Sequence, residues 1–383
     1  MRVLHILNEL KPSGAETMLQ AAASYWQRQG VKSEILATGR IPGTFAFVLE
    51  KAGYRIHHIP FSPSQTFLRR VYELFQTGHY DIIHIHTERA NFWYAVVSYL
   101  ARTALTLRTV HNIFPCVKVL RLERYIQRWI MRKSFGVRTI AIGSSVKNTE
   151  WRTFKNPTRI ISNWFDSNRF KPPSMEQRLD ARRKLAITES IIVVTSIGNC
   201  WPQKNHGSII EAVQRLPTQT SVLYLHVGQE MEGCPERKLA EALGVTNHIR
   251  FQGMVLDILP ILYSSDIYLM PSLYEGFSIA ALEAMAAGLP VVLADVPGLR
   301  DFKAECKEIY WAEPTAESIR IGIQYFLDMA AHKRQEVGLR LSRYVHEQFA
   351  IEKGAEAYLN LYRSQTGPMP NVPAHYLAHT NKH

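Results

Sequence analysis

The sequence has little cysteine and no long hydrophobic run, and these two absences exclude several classes of protein. Its four cysteines are scattered over 383 residues without a C-x-x-C pair, so a disulfide framework is not indicated. No apolar stretch reaches the roughly 18 residues that a membrane-spanning helix needs. Residues 1–8 lack the apolar core and cleavage site of a secretion signal and have the pattern of a strand. We therefore expect a cytoplasmic protein.

Acidic residues are also scarce relative to basic ones, and the excess of basic residues is especially marked in residues 101–138. The net charge is +12, and this segment holds nine basic residues against a single acid, Glu123. A basic helix that also carries tryptophan and isoleucine suits the headgroup layer of an anionic membrane. We expect peripheral contact with the inner face of the plasma membrane through residues 117–138, although ordinary amphipathicity explains part of the pattern. No nucleic-acid-binding module is present, so no nucleic-acid partner is expected.

Strand-like and helix-like segments alternate along the whole sequence. Apolar runs such as residues 3–7 and 81–86 in the first half, and 191–197 and 222–227 in the second, are separated by segments of helical character. This alternation favours an α/β protein with two parallel, doubly wound sheets, and 383 residues suit two domains. Because such sheets bind ligands at the carboxyl ends of their strands, two facing sheets predict a binding cleft between them.

The most informative segment is residues 271–292, which has the pattern of a strand end, a turn, a helix of small residues and another strand. Gly276 permits the tight turn, and Gly288 ends the helix. Glu275 lies at the mouth of this helix, and Glu283 lies inside it. Eight helical residues span about 12 Å, close to the length of a nucleotide sugar, and the helix start offers free N–H groups to a phosphate. The alternative is a buried helix with two solvated glutamates.

This segment resembles the signature of two glutamates separated by seven residues in retaining glycosyltransferases of family 4. That family has the GT-B fold, in which two Rossmann-like domains face each other across a cleft, and the resemblance extends over about residues 1–362. It implies an acceptor-side domain in residues 1–168, a nucleotide-sugar-binding domain in residues 169–349, and a last helix, 350–363, that returns to the first domain. Residues 364–383 are expected to form a flexible tail.

The family resemblance also assigns roles to the segment around the two glutamates. It implies that Glu283 accepts hydrogen bonds from the ribose diol, because a carboxylate can take two donors. Glu275 would hold hydroxyl groups of the transferred sugar, and helix-start N–H groups would face the phosphates. The residues that supply those N–H groups are Phe277, Ser278 and Ile279.

Two segments of the first half match the family as well. Residues 11–16 resemble the family's Gly-Gly-Ala-Glu loop, in which Gly14 lets backbone N–H groups approach the donor diphosphate or the acceptor. Ser13 and Glu16 also have the spacing of a capping box, which is a purely structural alternative. His111 ends an apolar strand, and the resemblance implies that it touches the donor sugar or the acceptor near the reacting centre. A partly buried histidine without a chemical role is the alternative.

In the second half, residues 198–206 resemble the family's Gly-Arg…Gln-Lys-Asn loop. Gly198 follows the strand, and Lys204 is expected to be a fixed cation that stabilises the departing nucleoside diphosphate. Asn199 replaces the usual arginine and brings no charge, which weakens this stabilisation unless another cation substitutes. Gly253 belongs to a turn that resembles the family's Phe-x-Gly turn near the nucleotide base.

The sequence has no Asp-x-Asp pair of the kind that holds a divalent metal on a diphosphate. His84 and His86 share one face of a strand, but no third ligand is evident, so a metal site is not predicted. His86 lies nearer the strand end and is a secondary candidate for acceptor contact. We expect neither a metal nor a cofactor, with the nucleotide sugar acting as substrate.

These matches predict a metal-independent, retaining hexosyltransferase of polysaccharide or glycoconjugate synthesis. It would move a hexose from a nucleoside-diphosphate sugar, most simply a UDP-sugar, to a hydroxyl of a glycan or lipid-linked acceptor. Three alternatives remain at this point. They are a nucleotide-sugar epimerase or hydrolase of the same architecture, a sugar-nucleotide-binding pseudo-enzyme, which the replacement of arginine by Asn199 would favour, and a nucleic-acid binder.

Overall fold

Two parallel β-sheets, one formed by each half of the chain, make up the computed structural model of this protein. Within the residues that it describes, no helix is both long and apolar enough to cross a membrane. Cys116 and Cys306 lie outside the described residues, as does the predicted tail beyond Ser364. The described ranges are residues 1–113, 118–217, 221–302 and 307–364.

The first sheet is built from the first half of the chain. Its strands are β1 (Arg2–Leu7), β2 (Lys32–Ala37), β3 (Arg55–His58), β4 (Ile82–Ile85), β5 (Leu105–Val110), β6 (Arg138–Ala141) and β7 (Arg159–Ile160). Their order is β3-β2-β1-β4-β5-β6-β7, and neighbouring strands are parallel. The helices of this half are α1 (Gly14–Arg28), α2 (Ala46–Lys51), α3 (Gln65–Gly78), α4 (Asn91–Leu100), α5 (Lys118–Lys133) and α6 (Ser144–Phe154).

The second sheet repeats the doubly wound pattern. Its strands are β8 (Ile192–Ile197), β9 (Val222–Val227), β10 (Ile249–Phe251), β11 (Ile267–Met270), β12 (Val291–Ala294) and β13 (Tyr310–Ala312). They are parallel and have the order β10-β9-β8-β11-β12-β13. Its helices are α7 (Met175–Lys184), α8 (His206–Gln214), α9 (Pro235–Ala242), α10 (Leu259–Ser264), α11 (Ile279–Ala286), α12 (Ala316–Leu327) and α13 (Ala331–Phe349).

The last helix, α14 (Ile351–Arg363), packs against α1 of the first half. The indole Nε1 of Trp26 donates a hydrogen bond to the Ala355 carbonyl oxygen at 3.0 Å. The hydroxyl of Tyr358 pairs with Thr109 Oγ1 at 2.8 Å, and the hydroxyl of Tyr362 pairs with Nδ1 of His84 at 2.7 Å. These buried phenols keep their polar ends satisfied while their rings add to the core, so α14 is firmly bound to the first sheet.

Both sheets are covered by helices, which explains their sequence pattern. Strands β4, β5, β9, β11 and β12 are buried along their full lengths, and parallel strands buried on both faces read as continuous apolar runs. The predicted α/β class with two doubly wound sheets is therefore confirmed. The loops that follow β1, β5 and β8 leave the carboxyl ends of these strands and border the space between the sheets.

Candidate active site

A cavity of about 560 Å³ opens between the carboxyl ends of the two sheets. Loops that follow β1, β5 and β8 line it together with the start of α11, which is where doubly wound sheets bind ligands. Its volume lies within the usual range for small-molecule sites. The predicted site residues that line the cavity are Gly14, His111, Gly198, Asn199, Lys204, Glu275, Phe277, Ser278, Ile279 and Glu283.

The turn before α11 brings the two halves of the chain into close contact. A Cβ atom at Gly276 would lie 2.1 Å from the carbonyl oxygen of His111, so this approach requires glycine. The Ser278 hydroxyl caps the helix by accepting a hydrogen bond from the Ala281 N–H at 3.2 Å. The first N–H groups of a helix have no intrahelical partner, so this end of α11 offers donors to an anionic group in the cavity.

Lys204 and Glu275 form an ion pair in the wall of the cavity. Nζ of Lys204 lies 2.7 Å from Oε1 of Glu275, and the two side chains are 19% and 9% exposed. The same Oε1 accepts a hydrogen bond from the Ser272 hydroxyl at 2.6 Å. Two residues that the sequence assigned to different ends of the donor, its phosphate and its sugar, are thus direct neighbours. The pair holds both side chains in fixed positions before any ligand binds.

Glu283 is buried one and a half turns into α11, with its side chain facing the same cavity. Burial raises the pKa of its carboxyl group to about 8, and the nearby Arg169 guanidinium opposes that shift while Asp166 reinforces it. A carboxyl group this poorly hydrated gains strongly from hydrogen-bond donors. A vicinal diol of a ligand supplies two such donors at once.

Arg169 is a cavity-lining cation that the sequence reasoning did not identify. It lies at the start of the segment that leads into the second half, and its Nη2 is 2.7 Å from Oδ1 of the exposed Asp257. No short motif marks it, because it reaches the cavity only when that segment folds back over the second sheet. Together, Arg169 and Lys204 give the cavity wall two fixed positive charges.

Asn199 and Gly253 shape the loops of the second sheet. Oδ1 of Asn199 accepts a hydrogen bond from the backbone N–H of Gln229 at 2.9 Å, which ties the loops after β8 and β9 together. Gly253 is not among the residues that line the cavity, and its carbonyl oxygen instead accepts the Gly228 N–H at 2.9 Å. Asn199 therefore supports a loop at the cavity rim but supplies no charge there.

The loop before α1 does not form the capping box that was the structural alternative at this position. The Ser13 side chain accepts no hydrogen bond from the helix backbone, so that alternative is wrong. Its hydroxyl instead donates to the carboxyl group of Glu16, whose pKa burial raises to about 7. A Cβ atom at Gly14 would lie 3.2 Å from the Cδ1 atom of Ile279, so this glycine lets the loop lie directly against the start of α11.

His111 is the outermost member of a row of imidazoles. Its Nε2 lies 2.9 Å from Nδ1 of His86, and Nε2 of His86 lies 3.1 Å from Nδ1 of the fully buried His5. His5, His84 and His86 have ring nitrogens within 4.8 Å of one another, so the third imidazole that the sequence did not reveal is His5. Both ring nitrogens of His84, however, already pair with hydroxyls, those of Tyr362 and Thr109, at 2.7 Å each.

Comparisons with known proteins agree with this geometry. Residues 12–169 match the family model described as Glycosyltransferase Family 4, and residues 177–339 match that of Glycosyl transferases group 1. An uncharacterized glycosyltransferase of Methanocaldococcus jannaschii is 27% identical over 74% of this chain and 75% of its own length. The UDP-Gal:alpha-D-GlcNAc-diphosphoundecaprenol alpha-1,3-galactosyltransferase of Escherichia coli is 26% identical over 60% of this chain and 61% of its own length.

A solved structure shows the same architecture. The Anabaena protein HepE, crystallised in complex with UDP and glucose, superposes with a TM-score of 0.81 at 20% identity, covering 94% of this chain and 99% of its own. The two family models together span most of the chain, and their division falls between the two sheets. The chain belongs to the group 1 and family 4 glycosyltransferases and has their GT-B fold.

Proposed function

We propose that this glycosyltransferase moves a hexose from a UDP-sugar to a hydroxyl of a glycan or lipid-linked acceptor, with retention of anomeric configuration. The observation that carries the proposal is the arrangement around α11, where the Lys204–Glu275 pair and Glu283 flank the helix start. Glu283 would hold the ribose diol, the helix start and Lys204 the diphosphate, and Glu275 the hexose hydroxyls. The names of the E. coli relative and of the HepE complex support UDP as the nucleotide.

The bond to the departing diphosphate breaks more easily when negative charge is neutralised as it develops. Lys204, Arg169 and the dipole of α11 are fixed groups that supply this neutralisation, so the proposal includes no divalent metal. In a front-face reaction the departing phosphate oxygen accepts the proton of the acceptor hydroxyl. The protein then has to orient two substrates rather than to provide a nucleophile.

The exposed face of α5 supports an acceptor held at a membrane surface on the cytoplasmic side. Leu122, Ile126 and Trp129 are 63%, 47% and 49% exposed, whereas Arg128 on the opposite face is buried. An apolar face directed to solvent and flanked by basic residues matches a helix that lies in the headgroup layer of an anionic bilayer. The neighbouring helix α4 also carries exposed apolar side chains, namely Trp93, Tyr99 and Leu100.

Release of nucleoside diphosphate from UDP-, GDP- and ADP-sugars tests the proposal, each measured with and without polyprenol-diphosphate-linked sugar acceptors. We expect one UDP-sugar to release its nucleoside diphosphate only when an acceptor is present. Turnover should be unchanged in EDTA, and NMR should show an α-linked product from an α-linked donor. Release that does not depend on any acceptor would instead identify a hydrolase. A preference for GDP- or ADP-sugars would overturn the assignment of UDP as the nucleotide. Loss of turnover in EDTA would overturn metal independence, and an inverted product would overturn retention of configuration.

A further inference from the structure

Three histidines form a continuous hydrogen-bonded row that runs from the cavity into the core beneath it. His111 and His86 line the cavity, and His5 is fully buried on the neighbouring strand β1. The row contains two nitrogen–nitrogen contacts, one of 2.9 Å between His111 and His86 and one of 3.1 Å between His86 and His5. Contacts of this length need one proton each, because two lone pairs or two N–H groups would repel each other.

All three imidazoles are neutral at physiological pH. Burial lowers the pKa of His5 to about 3 and that of His111 to about 4, where the Arg108 guanidinium adds to the effect. Burial, together with the neighbouring histidines, also lowers the pKa of His86. Each neutral imidazole carries a single N–H, so the row holds three protons for two internal contacts. The third proton must therefore lie at one of the two ends.

The two ends of the row differ in their surroundings. At the inner end, Nε2 of His5 is buried and has no hydrogen-bond partner among the described residues. A buried N–H without an acceptor is costly and rare, so this nitrogen is the unprotonated one. At the outer end, His111 borders the cavity, where water or a substrate oxygen can accept a proton. The third proton consequently lies on Nδ1 of His111.

We propose that His5 and His86 are positioning residues that fix His111 in the Nδ1–H tautomer and so make it a hydrogen-bond donor toward the substrate. His5 donates through Nδ1 to Nε2 of His86, and His86 donates through Nδ1 to Nε2 of His111. The occupied Nε2 excludes the other tautomer and a second proton, so His111 orients a substrate oxygen as a neutral donor rather than acting as a general acid. This inference rests on the proposed contact of His111 with the donor sugar or the acceptor.

The tautomer can be read directly in the wild-type protein. Long-range ¹H–¹⁵N spectra of protein labelled at histidine distinguish Nδ1–H from Nε2–H imidazoles, with His111 assigned by its absence in His111→Gln. We expect His111 and His86 in the Nδ1–H form at pH 7 without any donor. An Nε2–H signal for His111 would overturn the proposal. Because the measurement needs no turnover, it separates this proposal from the proposed reaction.

Two variants of His86 then test its role in turnover. Asn places its amide nitrogen near the position of Nδ1 and keeps a donor for His111, whereas Gln places its amide nearer Nε2 and leaves His111 without a partner. We expect His86→Asn to retain most of kcat. His86→Gln should lose roughly 10- to 100-fold, because partners that orient an imidazole have effects of this size. Equal losses in both variants would contradict a positioning role.

A control comes from His84, which is buried and adjacent to His86 but bonds Tyr362 and Thr109 instead of the row. His84→Gln is expected to lower the melting temperature while leaving the His111 signal in its Nδ1–H form. If His84→Gln changes the tautomer of His111 as His86→Gln does, general loosening of the core would explain both, and the proposal would fail.

Discussion

Lys204 and Glu275 depend on each other for position and for charge. Removing the cation in Lys204→Met leaves a buried carboxylate without its partner, so both stability and turnover should fall. We expect kcat to drop by about 10²- to 10³-fold, the usual effect of losing a group that stabilises developing charge. Steady-state kinetics and thermal unfolding measure the two effects.

A double variant separates the two roles of this pair. Lys204→Met combined with Glu275→Gln restores charge balance in the wall, so the melting temperature should recover while kcat stays low. Ser272→Ala removes only the second hydrogen bond to Glu275 and should have a much smaller effect on turnover. If kcat recovers together with the melting temperature, the role of Lys204 is structural.

Arg169 is a cavity-lining cation, whereas Asn199 brings no charge to the same cavity. Under the proposed function, Arg169→Gln should reduce kcat by about tenfold or more, because the variant loses a cation assigned to neutralise the departing phosphate. Asp257→Asn is the matched control, since it breaks the same 2.7 Å ion pair but leaves the guanidinium in place. Kinetics of the two variants with the preferred UDP-sugar make the comparison. Equal losses of kcat in the two variants would mean that turnover depends on the ion pair between Arg169 and Asp257 and not on the charge of Arg169 itself.

Burial of Glu283 also predicts how stability depends on pH. Its carboxyl group has a pKa of about 8 in the folded protein against an ordinary value of 4.5. Between those two values the unfolded chain has released a proton that the folded chain retains, so the free energy of unfolding decreases as pH rises. The slope from one such group is at most about 1.4 kcal/mol per pH unit.

Glu283→Gln removes this titration, so the loss of stability between pH 5 and pH 8 should become smaller. Glu16, with a pKa raised to about 7, leaves a residual slope in the lower part of that interval. Melting temperatures across the interval measure the effect, and Glu232→Gln, at an exposed position, should leave the wild-type slope unchanged. If the stability of Glu283→Gln falls with pH as steeply as that of the wild type, the Glu283 carboxyl group of the wild type ionises normally.

Single residues differed in how well the sequence predicted them. Glu275 and Lys204 stand in short segments between a strand and a helix, and Glu283 stands inside the helix that follows Glu275, so glycine turns and spacing locate all three directly. His5 was missed because its contact with His86 depends on β1 lying beside β4, and strand order is not encoded in either segment. Arg169 was missed for a similar reason, since its approach to the cavity depends on how the segment between the two sheets folds back.

At the level of elements, α5 has an unusual orientation. Ordinary amphipathicity turns apolar residues inward, and Met131 does lie in the core, but the helix also buries Arg128, which lies 3.0 Å from both Glu88 and Glu150. Since those acids satisfy the buried cation, Leu122, Ile126 and Trp129 remain on the outside. The sequence predicted a basic, tryptophan-bearing helix here, but it did not show which side faces solvent, because that depends on two acids outside α5.

The exposed face of α5 should bind anionic vesicles. Replacing Ile126 and Trp129 by serine is expected to reduce co-sedimentation with phosphatidylglycerol vesicles at least about fivefold, because apolar burial in the headgroup layer is lost. Serine at Ile321 and Tyr325 of α12, which are also exposed, is the matched control and should leave binding unchanged. Equal binding by both double variants would remove α5 from the proposed membrane surface.

Short elements were the weak point of the sequence interpretation. Strands β7, β10 and β13 contain two or three residues each and were not predicted. A run of that length is too short to show periodicity, and its pairing depends on a neighbouring strand. The longer buried strands and α11 were located correctly, because continuous apolar runs and the Gly-Leu-Pro stop at residues 288–290 mark them locally.

At the scale of the whole molecule, hydrogen bonds between side chains and backbone join the two halves of the chain. The Asp301 carboxylate accepts hydrogen bonds from the Ser145 N–H at 3.0 Å and the Ser145 hydroxyl at 2.9 Å. Ser145 lies at the start of α6, so a carboxylate of the second half caps a helix of the first half and meets its positive dipole end. Asn163 adds a second link, donating to the Phe277 carbonyl oxygen at 3.3 Å.

Asp301→Ala removes the cap and should shift the protein toward a more open cleft. In this variant, part of the binding free energy of the donor is used to close the cleft. KM for the UDP-sugar should therefore rise several-fold while kcat changes less. Small-angle scattering should show a larger radius of gyration without donor and convergence with the wild type when donor is bound. Ser145→Ala keeps the backbone N–H donor and is expected to show a smaller shift in both measurements. Unchanged scattering and KM in Asp301→Ala would mean that α14 and the remaining contacts alone hold the two halves together.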